Sequence, residues 1–410
     1  MPSTLPEGEP APTDGALPAE VLAGAADRPL GIYLHVPFCA TRCGYCDFNT
    51  YTAVELGPGV SQSSYADTAI AELDLAHRVL GDAARPVSTV FVGGGTPTLL
   101  PPAELTRMLR AVDERFGLEP GAEVTTESNP ESVDAAALQA LRAAGFTRIS
   151  FGMQSAREHV LAVLDRQHTP GRVDRVVRDA QAAGFEHVNV DLIYGTPGES
   201  DADWGASLEA AVATGADHVS AYALIVEEGT RLAARIRRGE FDAPDDDVLA
   251  DRYLMAEETL SGAGFAWYEV SNWARSEAGR SRHNVGYWTG ADWWGVGPGA
   301  HSHVGGDAVG VRWWNVKHPA AYAERLQAGR SPAHAREILD AATRRTEDIM
   351  LRLRLRDGLA LAGLRGSAVQ TAERARDDGL LEPASYDEGR AVLTVRGRLL
   401  ADALVRDLVA

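Results

Sequence analysis

Cys39, Cys43 and Cys46 are the only cysteines in the 410-residue chain, and all three fall within Cys39-Ala-Thr-Arg-Cys43-Gly-Tyr-Cys46. An odd number of thiols so close together is not an intramolecular disulfide framework. A free thiol titrates near about 8.5 and ligates metal only as the thiolate, so metal binding and deprotonation go together. Three thiolates can converge if the loop curls, which Gly44 permits. They would satisfy three irons of a [4Fe–4S] cluster and leave the fourth iron open to a substrate. A structural zinc site would want a fourth Cys or His. His35 is near in sequence, but as a strand residue before Pro37 it is expected to be held away from the loop. Free thiols are the plainest alternative. The run Gly93-Gly94-Gly95-Thr96-Pro97 is the second candidate. Glycines after a strand let backbone approach a ligand without a Cβ in the way. No lysine follows, so it is not a phosphate-binding P-loop, and alone it could equally be a tight turn.

These residues must be held by a scaffold, and the chain alternates strand and helix. Leu30–His35 is β-prone, and Pro37 keeps Val36 extended, ending the strand at the cysteine loop. Helices are expected at 65–80, 102–116, 134–143, 172–182 and 203–213, with strands at 88–92, 123–126, 148–151, 188–193 and 219–224. Ala-Gly-Phe recurs at 144–146 and 183–185, where a helix hands over to a strand, and again at 263–265. Such alternation implies parallel βα units. The fold class is therefore α/β: a partial (βα)6 TIM-like barrel with a mainly helical C-terminal second domain. Ligands of such folds sit at the carboxyl ends of the strands. That rule gathers the cysteine loop, the triple glycine, Glu127, Gln154, Asp191 and Tyr222 onto one face.

The expected division is a disordered tail over 1–28, the barrel over 29–235 and a second domain over 236–410. Residues 235–247, charged and broken by proline, read as a connector. Seven of the eight tryptophans lie between Trp267 and Trp314. The last seventy residues read as helical, with a strand at 391–395, and suggest a small winged-helix-like end over about 340–410.

A formal charge of −19 argues against a nucleic-acid surface, which needs basic patches. No apolar run approaches the roughly 20 residues that span a bilayer. The first 28 residues lack the basic start and apolar core of a secretory signal. Cysteines confined to one cluster fit a reducing interior, so the expected location is the cytoplasm.

Cys-x3-Cys-x2-Cys after a first strand resembles the radical S-adenosylmethionine (SAM) superfamily. That resemblance implies a [4Fe–4S] cluster whose open iron chelates the amino and carboxylate groups of SAM, and an aromatic Tyr45 near the adenine. Tyr33-Leu-His-Val-Pro-Phe-Cys39, Gly93-Gly-Gly-Thr-Pro-Thr98, Gly152-Met-Gln154, Arg166-Gln167 and Asp191-Leu-Ile-Tyr-Gly-Thr-Pro197 resemble, more narrowly, the oxygen-independent coproporphyrinogen III oxidase family. By motif, Tyr33, Gly94, Gly95, Thr96, Glu127, Gln154, Arg166, Asp191 and Ala223 would line the SAM site. Asp191 or Glu127 would take the ribose hydroxyls, and Arg166 the carboxylate.

Two departures bear on the subfamily. The oxidases carry a further cysteine two places after the third, where this chain has Phe48. His283-Asn-Val-Gly-Tyr-Trp288 resembles the signature of the heme-chaperone (HemW) subfamily, in which it is implicated in holding heme. The resemblance implies His283 as an axial heme ligand, with a tryptophan-rich wall beside the macrocycle. Two alternatives stand beside it: the tryptophans simply pack the second domain, and His283 is a buried, hydrogen-bonded histidine. His301 and His303 are rival ligands.

The expected function is a radical SAM chaperone that binds heme and passes it to a membrane or hemoprotein acceptor, served by an electron donor. The alternative is an oxygen-independent coproporphyrinogen III oxidase making protoporphyrinogen IX by radical decarboxylation. An iron–sulfur protein with only a structural or electron-transfer role would leave the glycine motif and the polar strand ends unexplained.

Overall fold

The computed structural model describes residues 5–56, 62–306 and 308–410. Its centre is a run of six parallel strands in chain order: β2 (Leu30–Val36), β3 (Val87–Gly94), β4 (Leu118–Ser128), β5 (Arg148–Gln154), β6 (His187–Tyr194) and β7 (His218–Ala223). Each expected helix is present between them, at Gln62–Leu80, Pro102–Phe116, Ala135–Ala143, Arg172–Ala183 and Asp201–Ala213. Their boundaries follow local chemistry. Pro102 opens its helix at the position where a missing N–H costs nothing. Asp134 caps the next by accepting from Ala137 N, and Gly184 closes another in the left-handed conformation at φ 88°.

Side chains alternate across each strand. On β2, Leu30, Ile32, Leu34 and Val36 are buried on one face, where the apolar core continues into the helices. Tyr33 and His35 take the other face. The same alternation sets Thr89, Glu123, Thr125, Glu127, Arg148, Ser150, Asn189, Asp191, His218 and Ser220 along the concave side. A greasy layer outside and a polar interior therefore come from one period-two pattern.

The expected boundary at residue 235 is not a break in the sheet. Strand β10 (Asp292–Val296) pairs in parallel with β2, from Asp292 opposite Leu30 to Val296 opposite Leu34. It makes a seventh parallel strand. From it the sheet runs antiparallel through β11 (His301–Gly305), β12 (Val309–Asn315) and β13 (Ala333–Asp340). At the other edge β9 (Asn272–Ala274) and β8 (Ala266–Glu269) follow β7. Tryptophan-rich segments far along the chain thus complete the barrel sheet; residues 266–340 are strand-rich, and the helical part begins at Ala341.

The reading of 1–28 as disordered is corrected for residues 5–28; residues 1–4 lie outside the described residues. Strand β1 (Glu9–Pro10) pairs antiparallel with β13. Val21 is fully buried and Ala25 nearly so. Arg28 and Arg85 close on the carboxylate of Asp292 at 3.0 and 2.6 Å. Average composition missed this because a few apolar side chains and one cation are enough to seat a segment on a ready-made sheet.

The connector at 235–247 joins two helices, Arg231–Arg237 and Asp246–Gly262, with residues 238–245 lying outside both. The final segment packs helices Ala341–Arg352, Ser367–Asp377 and Ala401–Val409 around their own apolar cluster. The strand expected at 391–395 shrinks to Arg390–Ala391, paired with Leu359–Ala360, because Thr394 caps a helix over Val395–Leu399. Among the described residues no helix is long and apolar enough to cross a membrane.

Candidate functional site

The cysteine loop is folded back on the sheet by its own backbone. Cys39 N donates to Tyr51 O, and Tyr51 N donates to Pro37 O. Gly44 N donates to Leu164 O, while Gly44 O accepts from Leu232 N. The glycine turn docks on the same loop, with Gly95 N donating to Val36 O and Thr96 N to Phe38 O. A Cβ on Gly95 would sit 2.4 Å from Phe38 O and 3.0 Å from Cys39 Sγ; one on Gly44 would sit 2.5 Å from Asp165 Oδ2. Close approach of backbone dictates Gly95, whereas at Gly44 the near atom is the end of the Asp165 side chain, which can turn aside. Gly94, at φ +113°, additionally needs a conformation that side chains rarely adopt.

His35 is not a fourth ligand. Its Nε2 lies 2.9 Å from Asn49 O, and since a carbonyl only accepts, Nε2 carries the proton. Nδ1 then accepts from Tyr33 OH at 3.0 Å. Burial lowers its pKa to about 4, so the ring is neutral. Tyr33 is thereby fixed on the concave face below the loop.

Burial pushes the Cys39 and Cys46 thiols up, Cys46 to about 11, and Cys43 adds to both shifts. Thiols held up in this way release their protons together only to a strongly positive centre. Among the described residues no three Cys, His, Asp or Glu side chains converge on one point that would hold a single metal ion. The three sulfurs are therefore not arranged as a zinc site. Glycines that bring backbone against Cys39, and Arg166 Nη1 donating to Cys43 Sγ at 3.6 Å, suit an anionic, ligated cluster. The residues present fit a [4Fe–4S] cluster.

The other expected residues gather at the same end of the sheet. Glu127 Oε2 accepts from Gly94 N at 3.0 Å, tying β4 to the glycine turn. Burial and then Asp191 raise its pKa to about 8. Asp191 is raised by burial too, although it accepts from Ser150 Oγ and Asn189 Nδ2, each at 2.7 Å. Gln154 ends β5 at φ 65°, one of two described non-glycine residues with positive φ, the sort of strain that collects at functional sites. The other is Asp165, beside Gly44. Arg166 also donates through Nη2 to Gly152 O at 2.8 Å, which points its guanidinium back over the strand ends. Tyr45 packs with Leu164, Ile193, Leu224 and Leu232, and Ala223 ends β7 beside this cluster. A further network, His218–Asn189–Ser150–Ser220, orders Asp191 from below. Sequence reading passed over it, although its members alternate along β5, β6 and β7 on the concave side.

His283 lies apart from this group. It sits at the start of the helix Arg282–Thr289, deep inside the sheet's curve and 3% exposed. Its Nδ1 is 2.8 Å from Thr89 Oγ1 and its Nε2 2.8 Å from Tyr287 OH, and its ring stacks on Phe91. Burial lowers its pKa to about 3. Both nitrogens are engaged, and the cavity beneath the ring, lined by Thr89, Tyr287 and Trp293, measures about 240 Å³. That is below the ~300–1,000 Å³ typical of sites for drug-sized ligands. In this conformation His283 is buried and hydrogen-bonded at both ring nitrogens. His303 differs. Its Nδ1 faces Ala291 O at 3.2 Å, so the proton sits there, and Nε2 has no partner among the described residues; the same holds for Nε2 of His301.

Comparison with known proteins agrees with this geometry. The Radical SAM superfamily profile matches residues 33–211. The heme chaperone HemW of Mycobacterium tuberculosis (strain ATCC 25618 / H37Rv) is 56% identical over 388 residues, covering 95% of this chain and 97% of that protein. HemW of Escherichia coli (strain K12) is 32% identical, covering 93% and 98%. Among solved structures, the coproporphyrinogen III oxidase HemN of Escherichia coli superposes with a TM-score of 0.78 at 22% identity, covering 97% of this chain and 94% of that one, a likeness of fold. Membership implies a [4Fe–4S] cluster and SAM as cofactors. The chain belongs to the radical SAM superfamily and, within it, to the family of the heme chaperone HemW.

Proposed function

We propose that this protein is a heme chaperone: it binds heme, carries a [4Fe–4S] cluster with SAM, and transfers heme to an acceptor protein. The observation that carries this reading is 56% identity, across almost the whole of both chains, to a protein named as a heme chaperone. In the proposed site Cys39, Cys43 and Cys46 hold the cluster. Bound there, the cluster would supply one-electron reducing chemistry to SAM. Arg166, already turned over Cys43, takes the SAM carboxylate. Gly94, Gly95 and Thr96 present backbone to the methionine part. Glu127 and Asp191 accept from the ribose hydroxyls, with Tyr33 and Gln154 lining the floor. Tyr45 and the backbone of Ala223 receive the adenine. Buried carboxylates gain most from such donors, since a hydroxyl bond offsets the cost of keeping their charge out of water.

The heme acceptor, a hemoprotein or a membrane-bound protein, and the electron donor complete the proposed cycle. Phe48, standing where the oxidases have a further cysteine, separates this reading from coproporphyrinogen oxidation. The deciding experiment incubates the reduced, cluster-loaded protein with SAM and coproporphyrinogen III, alongside a heme titration. Heme binding without protoporphyrinogen formation is expected. Protoporphyrinogen formation would reinstate the oxidase. In the same titration His283→Ala tests the expected axial ligand: a lost or shifted Soret band assigns the ligand to His283, and an unchanged band moves it elsewhere.

A further inference from the structure

Asp191, the carboxylate offered to the SAM ribose, ends a hydrogen-bonded row of buried side chains that crosses the sheet. Asn189 Nδ2 lies 2.7 Å from Asp191 Oδ1 and 2.6 Å from Ser150 Oγ, while Asn189 Oδ1 lies 2.6 Å from His218 Nδ1. His218 Nε2 is 2.8 Å from Tyr268 OH, and the Tyr268 oxygen accepts from Ser281 N at 3.2 Å. The row thus leads from β6 through β7 to β8 and stops at Ser281, whose side chain caps the helix Arg282–Thr289. Ser281, Tyr268, His218 and Asn189 are each at most 4% exposed, so bulk water does not replace a lost partner.

Each link has one polarity. A carboxylate only accepts, so Asn189 turns Nδ2 toward Asp191 and Oδ1 toward His218. That carbonyl oxygen also only accepts, so His218 carries a hydrogen on Nδ1. Burial, and then Arg148 and His187, keep the ring neutral, which leaves Nε2 bare. Tyr268 satisfies it, taking the Ser281 N–H on its oxygen and giving its own hydrogen to Nε2. Accepting from Nε2 instead would strand the Tyr268 hydrogen, which has no other acceptor among the described residues. Every donor therefore points from Ser281 toward Asp191, and aligned bonds strengthen one another.

Shape alone does not fix this sense, because an amide and an imidazole look nearly the same turned over. With the ring hydrogen on Nε2, Asn189 would donate to Nδ1 and set its own oxygen against the Asp191 carboxylate. Asp191 would then escape the repulsion by taking up a proton, and a neutral acid is a weaker acceptor for a hydroxyl. In the observed sense both Asp191 oxygens keep a lone pair for the ligand, beyond the bonds from Asn189 and Ser150.

We propose that Tyr268 and His218 are positioning residues for the SAM ribose: they fix the imidazole tautomer, and through it the Asn189 amide that holds Asp191 charged and open to the hydroxyls. The inference rests on the ribose contact of the proposed SAM site and adds the residues behind it that govern it.

The test is a titration of the cluster-loaded full chain with SAM and with an analogue lacking both ribose hydroxyls. Wild type is compared with Tyr268→Phe, which removes one oxygen and keeps the ring; iron content and far-ultraviolet dichroism establish that the variant is folded. A hydrogen bond to a charged group corresponds to about tenfold in affinity, so wild type should bind the analogue about tenfold more weakly than SAM. In Tyr268→Phe that preference should shrink to about threefold or less, through loss of SAM affinity with the affinity for the analogue kept. A merely structural tyrosine would weaken both ligands alike. That result, or unchanged affinity for both, overturns the assignment and leaves the SAM site standing. Equal affinity of wild type for the two ligands refutes the ribose contact itself, and the inference with it. Should Tyr268→Phe fail to hold its cluster, the imidazole nitrogen resonances of His218 in wild type, assigned by their absence in His218→Gln, decide the matter. A hydrogen on Nδ1 is expected, and a hydrogen on Nε2 overturns the proposal.

Discussion

Gly95→Ala probes the contact on which the proposed cluster site depends. A methyl at Gly95 would lie 2.4 Å from Phe38 O, 2.9 Å from Phe38 C and 3.0 Å from Cys39 Sγ. Ordinary contact begins near 3.4 Å, so the two segments must part by about 1 Å. Phe38 O is also the acceptor for Thr96 N, so the movement strains a bond that holds the turn to the loop. Overpacking costs about 1–3 kcal/mol and a weakened backbone hydrogen bond about 1 kcal/mol. The sum, about 2–4 kcal/mol, is less than the typical 5–15 kcal/mol of a folded domain, so the chain still folds. The penalty falls on Cys39, which moves with Phe38. Anaerobic reconstitution of wild type should give about four irons per chain, and Gly95→Ala under half of that, with reduced SAM binding. A suitable control is Gly262→Ala, at the end of a helix with open space around it, which should stabilise by about 0.5 kcal/mol and keep its cluster. Full iron content and unchanged SAM affinity in Gly95→Ala would refute the close-approach argument.

Other consequences follow from buried charge. Glu72 is buried beneath Tyr322, Gly297 and Asn315, and burial raises its pKa to about 7. The folded state therefore holds its proton to higher pH than the unfolded chain. That contribution is whole below about pH 4.5 and is lost as pH rises through about 7, amounting to about 3 kcal/mol at most. Urea melts between pH 5 and 8 should show this decline flattened in Glu72→Gln; an unaltered slope would disprove the assignment. Asp292→Ala leaves Arg28 and Arg85 facing each other without their carboxylate and should cost about 3–5 kcal/mol, read as a lower urea midpoint. Val21→Asp puts a charge into the contact between the N-terminal segment and the sheet and should cost at least about 2 kcal/mol. An unchanged midpoint would restore the disordered tail.

Local chemistry in the sequence determined most of the scaffold. Each of the six βα units carries its own period-two or helical pattern, and punctuation at Pro37, Pro102, Asp134 and Gly184 sets the boundaries without help from distant residues. Three cysteines with a glycine between them declare a ligand loop, and strand ends place Glu127, Gln154 and Asp191 beside it. Three features were decided only by tertiary contacts. The seventh parallel strand, Asp292–Val296, belongs to β2 because pairing partners some 260 residues apart meet only in the fold. The first 28 residues look like solvated chain until a sheet offers Val21 a dry surface and Asp292 offers Arg28 a partner. His283 stands in a motif that names it as a ligand, yet the hydroxyls of Thr89 and Tyr287 occupy both its nitrogens. A motif gives the residue type, but the lone pair available to an iron depends on which neighbours the folded chain sets against it.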